Sequence, residues 1–336
     1  MEGMFRFSRA HAICAAALSA SHGGVNPPRQ SIAIVGAGAL GLYYGARLVQ
    51  AGHEVRFLLR GDLAAIRERD RITVREKHGD FTVSPVQAFG AVAEIGVVDV
   101  VLITMKATAN ALLADLLPPL VGPLTMVVTL QNGLGNEEAV AAVVGAERTW
   151  GGLCFIGVNR SGPGEVRGIQ TPGSIALGEF DRPAGSACRE LADTFEAAGV
   201  PCTPVDSLRA ARWRKLVWNI PFNGLTVVAG AVPCDELLRH ANHEAEVRAL
   251  MREIQATAAA EGVVIDDAFL HDNVERTRSM AYQPSTLIDF MEGRPLELEP
   301  IWGEPLRRAR TAGVATPHLA ALYDRLSVMD AARTRD

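Results

Sequence analysis

The chain has 336 residues, with 33 lysines and arginines against 38 aspartates and glutamates and a formal net charge of −5. At 48% hydrophobic and 21% charged, its composition is that of an ordinary globular protein of about two domains. The slightly acidic balance gives no basic field for nucleic acid or an anionic bilayer, and no apolar run reaches the roughly 18 residues of a membrane span.

Near the start, Arg6 and Arg9 precede the weakly apolar ICAAALSA, which superficially resembles a signal peptide. The turn-rich SHGGVNPPRQ behind it favours a disordered extension over residues 1–30, or an upstream start codon, instead. The five cysteines (Cys14, Cys154, Cys188, Cys202, Cys234) are widely spaced with no C-x-x-C pair, which predicts buried free thiols and a reducing, cytoplasmic setting.

From Ser31 the pattern becomes periodic. SIAIV is a β-branched run, GAGALG a glycine turn, LYYGARLVQ a helical stretch and GHEVRFLLR a second strand, which together make one βαβ unit. Strand-type runs recur at 97–104 (VVDVVLIT) and 125–131 (TMVVTLQ), separated by the helix-compatible ATANALLADLLPPL. Such alternation predicts a doubly wound parallel sheet. The glycine-dense stretch from about 147 to 180 predicts antiparallel strands completing that domain, which spans 31–206.

Residues 207–330 read as a separate all-helical domain. Its predicted helices are SLRAARWRKLVWNIPFNGLTVVAG, HEAEVRALMREIQATAAAEG, PSTLIDFMEG, LELEPIWGEPLRRARTAG and HLAALYDRLSVMDAAR. Gly262, Gly293 and Gly313 fit helix ends, and Pro284 and Pro295 stand where helices can begin.

The G-x-G-x-x-G formed by Gly36, Gly38 and Gly41, with Ala37, Ala39 and Leu40 between them, follows an apolar strand and opens a helix. In that context the motif binds a dinucleotide: the turn is tight, the backbone approaches the pyrophosphate, and the helix N-terminus faces its charge. A site for NAD carries an acid at the end of the second strand, but this chain has Arg60 there and no carboxylate before Asp62. A guanidinium suits a 2′-phosphate, so NADPH is the predicted cofactor; the bland alternative is an exposed surface arginine. Lys106 and Asn132 stand at the carboxyl ends of two predicted strands, the edge where open α/β sheets bind ligands.

In the helical domain Lys215, Asn219 and Asn223 recur every four residues, on one helix face, among Leu216, Val217, Trp218, Ile220 and Phe222. Spacing alone leaves two readings open, a face that binds a polar ligand and an exposed polar face. Pro221 removes one helical N–H and predicts a bend within the stripe. Ser285 falls in the first turn of one predicted helix and Glu297 in the first turn of the next. Glu297 competes with Glu299 for an inward position, since residues two apart cannot both face inward, and Asp289 reads as structural. His240, His243 and Glu244 form the one ligand-like cluster, but their spacing fits a solvated helix face, and no metal is expected.

Taken together, GAGALG, GHEV with Arg60, the lysine of TMK, the asparagine of QNG, WRKLVWNIPFN and PSTLIDFMEGRPLE resemble the ketopantoate reductase family over about residues 31–330. The resemblance implies a Rossmann-type N-terminal domain, a helical C-terminal domain, and NADPH-dependent reduction of a small 2-oxo acid. It implies that Lys215 is the general acid and that Glu297 positions the lysine, the reacting oxygen or the cofactor. Asn219, Asn223 and Ser285 would hold the substrate, and Lys106 and Asn132 would contact the cofactor, with Asn132 near the reacting carbon. Pro221 and Pro233 depart from the family pattern. The rivals are reduction of another bulky 2-oxo acid and, in a different class, an NADPH-binding sensor without turnover. A homodimer is compatible with the chain.

Overall fold

The computed structural model describes residues 28–333, so the extension expected at the start falls, over 1–27, outside the described residues. The first half runs β1 (Ser31–Val35), α1 (Ala39–Gln50), β2 (Glu54–Leu58), α2 (Leu63–Arg69), β3 (Ile72–Arg75), β4 (Phe81–Val83), β5 (Gln87–Phe89) and β6 (Val98–Ile103). It continues with α3 (Leu113–Leu116), β7 (Val121–Thr129), α4 (Asn136–Val144), β8 (Thr149–Gly162), β9 (Glu165–Glu179), α5 (Ser186–Ala197) and β10 (Cys202–Pro204).

The strands form a single sheet in the order β4-β3-β9-β8-β7-β6-β1-β2-β5, with β10 also paired to β9. From β5 to β8 all neighbours are parallel; β9 then returns antiparallel along β8 in a long hairpin. β1 lies inside the parallel part, and its sequence accounts for that place. Ile32 and Ile34 pack with Leu42, Tyr43 and Ala46 of α1 on one face, while Ala33 and Val35 pack with Val101, Ile103, Leu113 and Val140 on the other. A strand apolar on both faces has to be covered on both, as parallel strands are. The helix expected between β6 and β7 is broken into 3₁₀ turns around the four-residue α3.

The second half runs α6 (Leu208–Val228), α7 (Cys234–Leu237), α8 (Ala241–Ala260), α9 (Asp267–Thr277), α10 (Ser285–Met291), a π-helical turn (Glu299–Gly303), α11 (Glu304–Thr311) and α12 (Pro317–Arg333). These helices enclose their own core, in which Trp213, Leu216, Val217, Phe222 and Leu225 of α6 meet Leu250, Met251 and Ile254 of α8 and Leu319 and Leu322 of α12. Sequence patterning overlooked α9, although Asp266 caps it by accepting a hydrogen bond from the Phe269 N–H at 2.6 Å.

Two expectations about helix geometry need correction. Pro221 does not interrupt α6, which is continuous from Leu208 to Val228, because buried apolar residues on both sides of it outweigh one lost helical bond. Pro295 does not begin a helix either: residues 294–297 form no regular element and the helix starts at Leu298, so Glu297 precedes the helix and is not in its first turn. Other partners hold that segment, with Arg333 donating to the Arg294 carbonyl at 2.7 Å and the Glu297 carboxylate accepting from the Ala107 N–H at 2.9 Å.

Among the described residues no helix is long and apolar enough to cross a membrane.

Candidate active site

A cleft of about 2300 Å³ runs between the carboxyl ends of β1, β2, β6 and β7 and the faces of α6, α9 and α10. Small-molecule sites usually occupy about 300–1,000 Å³, so this one has room for more than one ligand. The glycine turn after β1 forms one end. Gly36 has φ +88°, and a Cβ there would sit 2.3 Å from the Cβ of Met105, so the turn closes tightly against the loop after β6. A Cβ on Gly38 would meet no protein atom nearer than the Gly36 carbonyl oxygen at 4.0 Å. That turn is tight on its protein side and open on the cleft side where α1 begins, and this fits a pyrophosphate. Arg60 lines the cleft just beyond β2, exposed and with no ion-pair or hydrogen-bond partner among the described residues.

Lys106 and Asn132 leave the ends of β6 and β7. The Lys106 ammonium crosses the cleft to an ion pair with Asp289 of α10 and lies 3.5 Å from Glu297 Oε2. Asp289 also accepts from Arg294 Nε at 2.7 Å. Both carboxylates are buried, and their cationic partners and the Ala107 N–H offset the cost of desolvating them. Asp289, read from sequence as structural, therefore takes part in the cleft. Glu297 faces inward, while Glu299 turns outward to Arg307 and Tyr323.

The Asn132 backbone is fixed by the Asn136 side chain, which donates to its carbonyl at 2.9 Å. Gln131 braces the same loop, donating to the Met105 carbonyl at 3.0 Å and to Asn110 Oδ1 at 2.7 Å. The Lys215 ammonium on α6 reaches this loop from the other half. It donates to Asn132 Oδ1 and to the Cys154 carbonyl, each at 2.9 Å, and stands 5.2 Å from the centre of the Phe155 ring. Burial pushes its pKa down from 10.5 to about 8; the Arg212 cation one turn earlier acts in the same direction and Glu297 in the opposite one.

Further along α6, the side chains of Asn219 and Asn223 are 7% and 3% exposed, line the cleft, and make no hydrogen bond within the described residues. The polar stripe is therefore no solvated face: it presents two buried amides whose hydrogen-bonding capacity is unused. Ser285, the first residue of α10, lines the same cleft. Beside the stripe, Trp218 stacks on Phe222 at 5.0 Å and donates to Thr277 Oγ1 at 2.9 Å, with Tyr282 next to it at 6.1 Å.

Neither the Cys154 carbonyl nor Phe155 was legible from the sequence, because a hairpin strand brings them in and spacing along the chain says nothing about its register. Asn273 and Arg276 on the overlooked α9 also line the cleft. His240 and His243 contact each other edge to face, and Glu244 is paired with Arg248 and Arg278. Among the described residues no group of three or more His, Cys, Asp or Glu side chains is arranged to hold a metal.

Two family models match the chain, "Ketopantoate reductase PanE/ApbA" over residues 32–182 and "Ketopantoate reductase PanE/ApbA C terminal" over 207–330. A 2-dehydropantoate 2-reductase of Nostoc is 40% identical over 304 residues, covering 89% of this chain and 94% of that one. The crystal structure of 2-dehydropantoate 2-reductase from Geobacter metallireducens is 45% identical and superposes with a TM-score of 0.85, covering 88% of this chain and 99% of its own. A complex of D-mandelate dehydrogenase with NADH is 25% identical, with a TM-score of 0.79 over 90% of this chain and 99% of its own.

Proposed function

The chain belongs to the ketopantoate reductase family of pyridine-nucleotide-dependent oxidoreductases, and from that premise we propose that it reduces 2-dehydropantoate to (R)-pantoate with NADPH, the reductive step towards pantothenate. On this reading residues 31–206 hold the dinucleotide and residues 207–330 hold the 2-oxo acid. When bound, the dinucleotide supplies a hydride. The chain's own residues bind, orient and protonate.

The observation that carries the reading is the Lys215 ammonium, half-buried at the junction of the two halves, 2.9 Å from Asn132 Oδ1 and with its pKa lowered to about 8. A desolvated ammonium near neutrality is charged enough to polarise a ketone oxygen and acidic enough to give it a proton as alkoxide character develops. Its two protein acceptors orient Nζ, leaving the third N–H for the substrate oxygen. Asn132, beside it, contacts both cofactor and substrate. Asn219, Asn223 and Ser285 supply hydrogen bonds for the carboxylate and hydroxyl, and Trp218 and Tyr282 form an apolar wall for the branched carbon. Glu297 positions Lys106, which with Gly36, Ala37, Gly38, Ala39, Leu40 and Gly41 forms the cofactor's side of the cleft. Arg60 pairs with the 2′-phosphate.

Following NADPH absorbance with 2-dehydropantoate beside pyruvate-like and longer 2-oxo acids tests reaction, cofactor and substrate together. A clear preference for 2-dehydropantoate is expected; absence of any substrate-dependent oxidation would leave only a cofactor-binding protein. Arg60→Ala should raise the KM for NADPH by about tenfold or more and leave that for NADH nearly unchanged, since only one of them carries the phosphate. Equal efficiency of the unaltered enzyme with both cofactors would refute the NADPH assignment. The second reading, reduction of another bulky 2-oxo acid, draws support from the aromatic wall and from the likeness to D-mandelate dehydrogenase.

The pH profile follows from the same lysine. Because the protonated form is the acid, kcat/KM for reduction should be flat below about 8 and fall about tenfold per unit above it. A profile flat to pH 10 would exclude Lys215 as the proton source. Stability responds in the opposite sense. Between about 8 and 10.5 the unfolded lysine binds more protons than the folded one, so its contribution to stability rises with pH and its cost is greatest below about 8.

A further inference from the structure

We propose that Arg160 determines cofactor choice by neutralising Asp62 at the rim of the cleft where the 2′-phosphate of NADPH binds, an inference that rests on the NADPH reading above. Asp62 lies two residues after Arg60, and both line the cleft together with Arg160 of β8. The Asp62 carboxylate is buried, 6% exposed, and forms an ion pair with the Arg160 guanidinium. Its other oxygen accepts from the Gly164 N–H at 3.2 Å, in the turn between β8 and β9. The long hairpin therefore reaches across to the end of β2 and covers an acid that stands close to where an NAD enzyme would use one.

The charges decide what that rim can accept. Arg60 and Asp62 alone sum to zero, which gives a phosphate dianion no net attraction. A free carboxylate beside the ribose is also the group that accepts a hydrogen bond from the 2′-hydroxyl of NADH. Arg160 makes the rim net positive and engages the carboxylate, so the same backbone favours the phosphorylated ribose. Arg160 is thus a specificity determinant acting through Asp62, and its effect must weaken with salt because its side chain is 48% exposed.

Dissociation constants for NADPH and NADH, measured by nicotinamide fluorescence at low salt, test this on the full chain and on Arg160→Ala, Arg160→Lys and Arg160→Ala/Asp62→Asn. Arg160→Ala should weaken NADPH about tenfold and leave NADH unchanged or tighter, while Arg160→Lys keeps the original preference. Removing the acid as well should restore NADPH binding to within about threefold of the unaltered chain. A preference that stays within about twofold in Arg160→Ala overturns the proposal, and so does a double variant as weak as the single one. If the unaltered chain binds NADH as tightly as NADPH, it is the NADPH reading that fails; if Arg60→Ala loses the preference and Arg160→Ala does not, only the role of Arg160 fails.

Discussion

Lys215→Ala is expected to lower kcat by about 10³- to 10⁴-fold while changing the dissociation constant for NADPH less than about threefold. On the proposed mechanism the size follows from two losses at one atom, the proton donor and the positive charge that would stabilise the developing alkoxide. The selectivity follows from where Nζ is anchored. Its partners, Asn132 Oδ1 and the Cys154 carbonyl, belong to the first half, and Asn132 keeps its backbone tie to Asn136 when the lysine is gone. Pre-steady-state turnover together with a fluorescence titration of NADPH separates the two effects. A variant retaining more than about a tenth of the original kcat would show that the proton comes from elsewhere.

The second large effect concerns stability. Arg212, one turn before Lys215, is 3% exposed and paired with Glu137, 5% exposed, in the first turn of α4. Its Nε donates to Glu137 Oε1 at 2.9 Å and its Nη1 to the Gln131 carbonyl at 2.7 Å. The pair joins the helix carrying the lysine to α4, and the bond to the Gln131 carbonyl ties it to the loop carrying Asn132. Arg212→Met leaves a buried carboxylate without its cation and should cost about 3–5 kcal/mol in urea unfolding. Arg212→Met/Glu137→Leu should recover a large part of that, because an apolar pair carries no desolvation penalty. If both Arg212→Met and Glu137→Gln lie within about 1 kcal/mol of the parent, the pair does not hold the two halves together.

The parallel part of the sheet was legible because the residues that make it are apolar on both faces and punctuated by glycine. Ile32 to Val35 can be nothing else once GAGALG follows. Lys215, Asn219 and Asn223 were legible as a stripe, but their burial was not, since it depends on α10 and the loop after β7 arriving from distant parts of the chain. Helix starts were less readable. Pro295 has the chemistry of a first helical residue, yet residues 294–297 stay out of the helix and bond to Arg333 and Ala107 instead. Asp289 looked structural because nothing in its neighbourhood names Lys106, 183 residues away, as its partner. Contacts across the cleft are set by how the two halves meet, and spacing along one strand or helix cannot encode that.

One of the two acceptors that orient Lys215 is a peptide oxygen, that of residue 154, and the identity of the side chain there is immaterial to it. Any amino acid the strand tolerates at that position would present the same oxygen at the same place. On the proposed mechanism this part of the reaction geometry is therefore shielded from mutational drift, and comparing side chains among related enzymes would never reveal it.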